Sequence, residues 1–142
     1  MMETEKPKVL IVLENFYGNR KNKFTVPVYD TRIINRKNAT YSRLLSLEEH
    51  FELWFTETTP HIADNKDTKF PTDIAWVRSA IEYDKWFAII GCGKPACNAL
   101  DDLLIQHKKL PHPTSFLWRR YMIDNLKANL IIEKNVKNQN LC

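Results

Sequence analysis

The stretch KVLIVLENFYG, residues 8–18, decides how this chain folds. Apolar and partly β-branched residues run from Val9 to Leu13 and pass directly into polar and aromatic side chains. A continuous apolar run predicts a strand that is covered on both faces, as in a parallel sheet. Ligands bind at the carboxyl ends of strands in open α/β sheets, so the residues after Leu13 are candidates for a functional site.

Strand and helix patterns alternate along the rest of the chain. Strands are predicted at residues 8–13, 51–56, 86–90 and 109–111, and helices at residues 40–49, 71–83, 94–107 and 115–130. Residues 18–37 have the composition of a long loop, and residues 133–142 that of a frayed tail. The alternation predicts an α/β fold, a three-layer α/β/α sandwich around a mostly parallel four-stranded sheet. Polar segments that follow the strands would line one crevice.

The composition is that of one globular domain. The chain has 142 residues, of which 44% are hydrophobic and 27% charged, which is enough for one core and too little for two. No apolar run approaches the roughly 20 residues that span a bilayer, and the polar N-terminus lacks the apolar segment of a secretory signal. We therefore expect a cytoplasmic monomer with no membrane partner.

The cysteine and histidine pattern predicts no metal site. Three cysteines are one fewer than a closed zinc site or an iron–sulfur cluster requires, and the histidines lack metal-ligand spacing. The odd number of cysteines also argues against a disulfide framework. We interpret Cys92 and Cys97 as small residues buried in and after a strand.

The charge balance is mildly basic, with a net charge of +4 and a pI of about 9.0. This bias is compatible with a polyanionic partner, and a solubilising surface is the alternative interpretation. Basic residues flank both the segment after the first strand and a late histidine that stands between two prolines. They are Arg20, Lys21, Lys23, Arg32, Arg36, Lys37, Arg119 and Arg120.

Three motifs, taken in order, resemble those of the uracil-DNA glycosylase superfamily. Leu13-Glu14-Asn15-Phe16-Tyr17 stands at the place of the first family motif, with Leu13 for its glycine and Phe16 for its proline. Gly93-Lys94-Pro95-Ala96 matches a Gly-Lys-x-Ala turn that opens a helix, and His112-Pro113-Thr114 matches the His-Pro-Ser motif of the loop that enters DNA. The resemblance spans about residues 8–130. It implies a uracil-DNA glycosylase-like fold and a DNA partner.

The resemblance also implies a catalytic set for hydrolysis of an N-glycosidic bond. The transition state of such a reaction is oxocarbenium-like, with negative charge on the departing base. Asn15 would position the water, and His112 would donate a hydrogen bond to the base O2, as in an oxyanion hole. Glu14 would contact the base or the water. No metal or organic cofactor is needed for this hydrolysis.

Further residues are assigned to base and DNA binding by the same resemblance. A base must leave the duplex to reach such a site, and an apolar side chain fills the gap. Tyr17 would form a wall of the base pocket, and Phe24 is a second stacking candidate. Phe116 stands at the position of this gap-filling side chain, the wedge. Phosphate contacts are expected from Lys94, Thr114, Ser115, Arg119 and Arg120, with Thr114 or Ser115 capping the last helix.

Glu57 stands where the family has the asparagine that reads the pyrimidine. A carboxylate only accepts hydrogen bonds, so it favours the N4 amine of cytosine over the O4 of uracil. Ordinary cytosine must be spared, and we therefore predict a modified cytosine of the bacteriophage type as substrate. The enzyme would be a monofunctional DNA glycosylase that leaves an abasic site and serves anti-phage defence.

Other functions stay open at this point. The same fold could act on uracil or a mismatched base in base excision repair. The changes in the first motif also fit a non-catalytic member that binds DNA or a protein. An unrelated α/β enzyme would use Glu14 and His112 as an acid–base pair on a small nucleoside.

Overall fold

The computed structural model describes residues 6–14, 16–17, 24–63 and 70–140. The strands are β1 (Lys8–Leu13), β2 (Phe16–Tyr17), β3 (Tyr29–Asp30), β4 (Glu52–Glu57), β5 (Ile62–Ala63), β6 (Ala88–Cys92) and β7 (Lys108–Leu110). The α-helices are α1 (Ala39–Ser42), α2 (Ile74–Glu82), α3 (Lys94–Asp102) and α4 (Arg120–Asn140), and 3₁₀ helices span Thr31–Ile33 and Leu45–Glu49.

The main sheet has five strands in the order β3-β4-β1-β6-β7. β1 pairs in parallel with β4 and β6, and β6 pairs in parallel with β7, whereas β3 is antiparallel to β4. The predicted α/β class is confirmed. The predicted four-stranded sheet is wrong, because β3 lies within residues 18–37, which have the composition of a loop. A strand of two residues is too short to show a hydrophobic period.

Helices cover both faces of the sheet. Val9, Ile11 and Leu13 pack into a core that includes the apolar residues of α4 and of the Leu45–Glu49 3₁₀ helix. Leu10 and Val12 pack on the other face, against residues of α2 and α3. Side chains alternate along a strand, so β1 is apolar throughout because both of its faces are buried. No helix in the described ranges combines the length and the apolarity needed to cross a bilayer.

The last helix differs from the prediction at both ends. It begins at Arg120, so neither Thr114 nor Ser115 caps it, and residues 113–117 form turns instead. It also continues to Asn140, through most of the predicted frayed tail. Lys134 and Lys137 explain part of this extension, because their ammonium groups lie 5.8 and 5.2 Å from the ring centroids of Phe51 and Phe87. Such cation–π contacts help to hold the exposed end of a helix on the core.

Leu104 follows α3 in a backbone conformation that favours glycine. Its φ is 59°, and its side chain is 91% exposed. The Ile105 N–H donates to the Leu100 carbonyl at 2.9 Å, which closes the end of the helix. Leu104 therefore has a strained backbone conformation and a side chain that contributes little packing.

We expect Leu104→Gly to raise the free energy of unfolding by about 0.5–1 kcal/mol, because glycine adopts a positive φ without a Cβ clash. Urea denaturation measures this change. Leu104→Ala is the matched control, since it removes the exposed side chain and keeps the Cβ. If Leu104→Ala raises the free energy of unfolding as much as Leu104→Gly, the gain comes from removal of the exposed side chain and not from relief of backbone strain.

Candidate functional site

The carboxyl ends of four parallel strands lie side by side at one edge of the sheet, in the order β4, β1, β6, β7. The Thr58 N–H, after β4, donates to the Leu13 carbonyl of β1 at 3.0 Å. The Gly93 N–H, after β6, donates to the Leu110 carbonyl of β7 at 2.8 Å. Segments far apart in sequence therefore meet at this edge.

Glu14 is held at this edge through its backbone. Its carbonyl accepts hydrogen bonds from the Thr58 N–H at 3.2 Å and from the Thr58 Oγ1 hydroxyl at 2.7 Å. Asn15, the predicted water-positioning residue, lies outside the described residues, as do Arg20, Lys21 and Lys23. Tyr17 lies in β2, which pairs in parallel with β5.

His112 follows β7, and Thr114 determines its tautomer. The Thr114 N–H donates to His112 Nδ1 at 3.2 Å, and Thr114 Oγ1 lies 2.9 Å from the same nitrogen. A backbone N–H can only donate, so Nδ1 is an acceptor. The proton of the neutral imidazole is then on Nε2. The Nε2–H can therefore donate a hydrogen bond, as the predicted role requires, and Thr114 contacts His112 rather than capping a helix.

Gly93 allows the β6 turn to approach His112 closely. Its φ is +91°, and a Cβ at this position would lie 3.4 Å from His112 Cβ. Glycine is the residue that adopts such a conformation without strain. The next residue, Lys94, is exposed at the start of α3, one residue after the close approach of Gly93 to His112.

Glu57 ends β4 inside the protein, where it is only 1% exposed. The Tyr29 hydroxyl donates to Glu57 Oε2, and the Tyr41 hydroxyl oxygen lies 2.9 Å from the Tyr29 hydroxyl oxygen. Burial, with the neighbouring Glu57 and Tyr41, raises the pKa of Tyr29 well above its ordinary value. Tyr29 therefore keeps its proton and serves as a donor.

The buried carboxyl differs from the ionised, accessible group expected from the sequence. Burial raises the pKa of Glu57 to about 7, and the hydrogen bond from Tyr29 opposes this shift. Near neutral pH the group is thus a mixture of a carboxylate and a neutral acid that can also donate. Contact between Glu57 and a base stays a prediction, and it requires the base to enter as far as this carboxyl.

Aromatic rings surround the Tyr29 hydroxyl network. Phe24 is half-buried and stacks on Tyr29, with ring centroids 5.3 Å apart and planes 5° from parallel. Phe55 stacks on the same Tyr29 ring at 5.6 Å, and Tyr41 meets Phe55 edge-on at 5.3 Å. The Phe24 ring thus packs on Tyr29 in this structure, and its role against a base stays a prediction.

The segment after His112 presents apolar side chains to solvent. Phe116 is 85% exposed and Leu117 56%, while Trp118 packs partly against the core. Arg119 Nη1 donates to the Phe116 and Trp118 carbonyls at 2.7 and 2.9 Å, so this guanidinium braces the turn. Ser115 Oγ accepts from the Leu117 N–H at 3.1 Å. The turn therefore holds Phe116 outward.

Two basic residues of the predicted cluster lie toward the amino end of β4, away from the carboxyl edge, and are paired with acids. Arg32 contacts Asp30 at 2.8 Å, and Arg36 forms two hydrogen bonds of 2.8 Å with Glu48. These pairs support the interpretation of this part of the basic cluster as surface charge. Arg120 differs, because its side chain is 93% exposed and its contact with Asp124 is long, at 3.9 Å.

Sequence reasoning missed most of the residues that support the site. Tyr29 donates to Glu57, Tyr41 contacts Tyr29, and Arg43 Nη1 donates to the carbonyl of Pro113. Thr58, which binds the Glu14 carbonyl, lies in the polar segment that follows the predicted second strand. A buried carboxyl requires hydrogen-bond donors. This requirement is the only signal that could have indicated tyrosine partners for Glu57. The position of Tyr29 beside Glu57 depends on the antiparallel pairing of β3 with β4.

Cys92 and Cys97 have no sign of a catalytic role. Cys92 is fully buried, as predicted, and burial raises the pKa of its thiol. Cys97 is half-buried, and its Sγ–H donates to the Gly91 carbonyl at 3.3 Å. A buried thiol with a raised pKa is a poor nucleophile.

Comparison with protein-family models, with curated proteins and with solved structures gave no match for this chain.

The raised pKa of Glu57 predicts how the free energy of unfolding depends on pH. Because this pKa lies near 7 in the folded protein and near 4.5 ordinarily, the folded state binds more protons between these values. The stabilisation is complete below the lower value and is lost as pH rises through the upper one. From this group alone, the free energy of unfolding should fall by about 3 kcal/mol between roughly pH 4 and pH 8.

Glu57→Gln is the control, since it keeps the shape and removes the titration. Denaturation across the pH range should give a shallower decline for this variant than for the wild type. Parallel curves for the two proteins would contradict a raised pKa at Glu57.

Proposed function

We propose that the protein is a DNA glycosylase that hydrolyses the N-glycosidic bond of a base extruded from DNA. The observation that carries this proposal is the hydrogen bonding of His112 at the carboxyl edge of the sheet, where Nδ1 accepts from the Thr114 N–H and Nε2 is left as the donor of the ring. The exposed Phe116 and Leu117 follow within five residues of it. A charge-stabilising donor beside an apolar wedge fits base flipping.

In this mechanism the departing base carries negative charge on O2, and the Nε2–H of His112 donates to that oxygen. A neutral donor stabilises this charge without transferring its proton in advance. Asn15, next to the anchored Glu14, would hold the attacking water. The oxygen of that water forms the new bond to the sugar carbon while the bond to the base breaks. The base leaves with the electron pair of the bond and takes a proton, and the DNA retains an abasic site.

Glu57 supports a cytosine-type substrate. A neutral carboxyl can donate to N3 of cytosine and accept from its N4 amine, and the ionised form still accepts from N4. Since ordinary cytosine must be spared, a modified cytosine remains the favoured substrate, and a defensive role against phage DNA follows from that choice. The raised pKa also favours a second candidate: a neutral Glu57 fits O4 and N3–H of uracil.

The test is incubation with DNA duplexes and single strands that carry a panel of pyrimidines, with mass spectrometry of the released base. His112→Ala should lower the rate of release about 10²- to 10³-fold, as expected for the loss of one oxyanion donor. His50→Ala is the matched control, because His50 lies before the opposite end of β4. We expect it to retain the wild-type rate.

Failure to release any base, together with DNA binding that His112→Ala does not change, would overturn the proposal in favour of a non-catalytic DNA-binding role. Base release from a free nucleoside with no affinity for DNA at low salt would point to the small-molecule enzyme instead.

A further inference from the structure

An open cleft of about 550 Å³ lies between the end of α1 and the start of α4. The α1 side contributes Ser42, Arg43 and Ser46, all exposed. The other side contributes residues from the turn after His112 and the first turn of α4, namely Ser115, Phe116, Trp118, Arg120, Ile123 and Asp124. Three hydroxyls, two guanidinium groups and two aromatic rings thus face one space, with a single carboxylate among them.

The cleft is connected to the His112 segment. Arg43 Nη1 donates to the carbonyl of Pro113, the residue after His112, so α1 is attached to the turn that carries the wedge. Phe116 belongs both to the wall of the cleft and to the exposed tip of the turn. The cleft therefore begins at the turn that directly follows His112.

The lining matches the chemistry of a DNA strand. Arginine and serine side chains bind phosphate oxygens in protein–DNA complexes, and bases stack on aromatic rings regardless of sequence. Arg120 is 93% exposed, and its 3.9 Å contact with Asp124 is a surface pair that contributes little to stability. Its guanidinium can exchange this carboxylate for a phosphate without disturbing the fold.

We propose that this cleft binds the sugar-phosphate backbone and one base of the DNA strand next to the extruded nucleotide. The proposal rests on the proposed function for the identity of the strand. Arg120 and Arg43 neutralise a phosphate, the serines donate to its oxygens, and Phe116 and Trp118 stack the neighbouring base. The carboxylate of Asp124 repels the phosphate and lowers the affinity for DNA.

The test measures binding of a fluorescent single-stranded oligonucleotide that lacks any modified base, across a series of salt concentrations. Arg120→Gln should weaken binding about three- to tenfold at low salt and reduce the salt slope by about one. Asp124→Asn should strengthen binding by a similar factor, because it removes the repulsion. An unchanged urea midpoint for Asp124→Asn would show that the gain comes from the folded protein.

Arg78→Gln is the matched control, since Arg78 is exposed on α2, which covers the opposite face of the sheet. It should change affinity less than twofold, within the scatter expected for a long-range screened charge. Equal effects of Arg78→Gln and Arg120→Gln, or no gain from Asp124→Asn, would overturn the cleft as the binding site.

The assay of base release separates the two proposals. If base is released but Arg120→Gln and Asp124→Asn do not change DNA affinity in opposite directions, the glycosylase proposal holds and the proposal for the cleft is overturned. If the two variants change DNA affinity in opposite directions but no base is released, the cleft binds DNA and the glycosylase proposal is overturned. Absence of any DNA binding would overturn both.

Discussion

The burial of β1 on both faces is the constraint from which the rest of the architecture follows. All residues from Val9 to Leu13 are at most 1% exposed, so each face must be covered by helices. Parallel neighbours on both sides require long connections, and the helices that cover the sheet supply them. The same arrangement brings the carboxyl ends of β4, β1, β6 and β7 to one edge, where polar residues can meet.

A second constraint is the buried carboxyl of Glu57. Taking a carboxyl out of water is unfavourable unless it is hydrogen-bonded or neutralised. Here the Tyr29 hydroxyl supplies a hydrogen bond, and the raised pKa allows the group to be neutral. No ion pair to Glu57 is found within the described part of the chain. The carboxyl is therefore held by the Tyr29 hydroxyl, and its charge depends on pH, which distinguishes it from a structural salt bridge.

The turn after β7 shows how short-range hydrogen bonds can prepare a binding surface. Thr114 fixes the ring of His112, Arg119 holds the turn, and Arg43 attaches it to α1. Phe116 consequently stays exposed, although burial of a phenylalanine ring is strongly favoured. An exposed aromatic residue on a braced turn is consistent with a partner that covers it.

Some features of this protein follow from local sequence alone. The apolar run of β1, the alternation of strands and helices, and the polar residues after each strand predicted the α/β class. They also predicted which segments lie at the carboxyl edge. These signals are reliable because hydrophobic periodicity and helix signals act over a few residues.

Other features were decided only by the tertiary structure. The two residues of β3 form a strand because β4 offers an unpaired edge, and this pairing brings Tyr29 to Glu57. The hydrogen bond from Arg43 to the Pro113 carbonyl likewise joins segments 70 residues apart in sequence. Sequence determined where polar groups stand along the chain, whereas protonation, exposure and partners depend on burial, which only the packed fold defines.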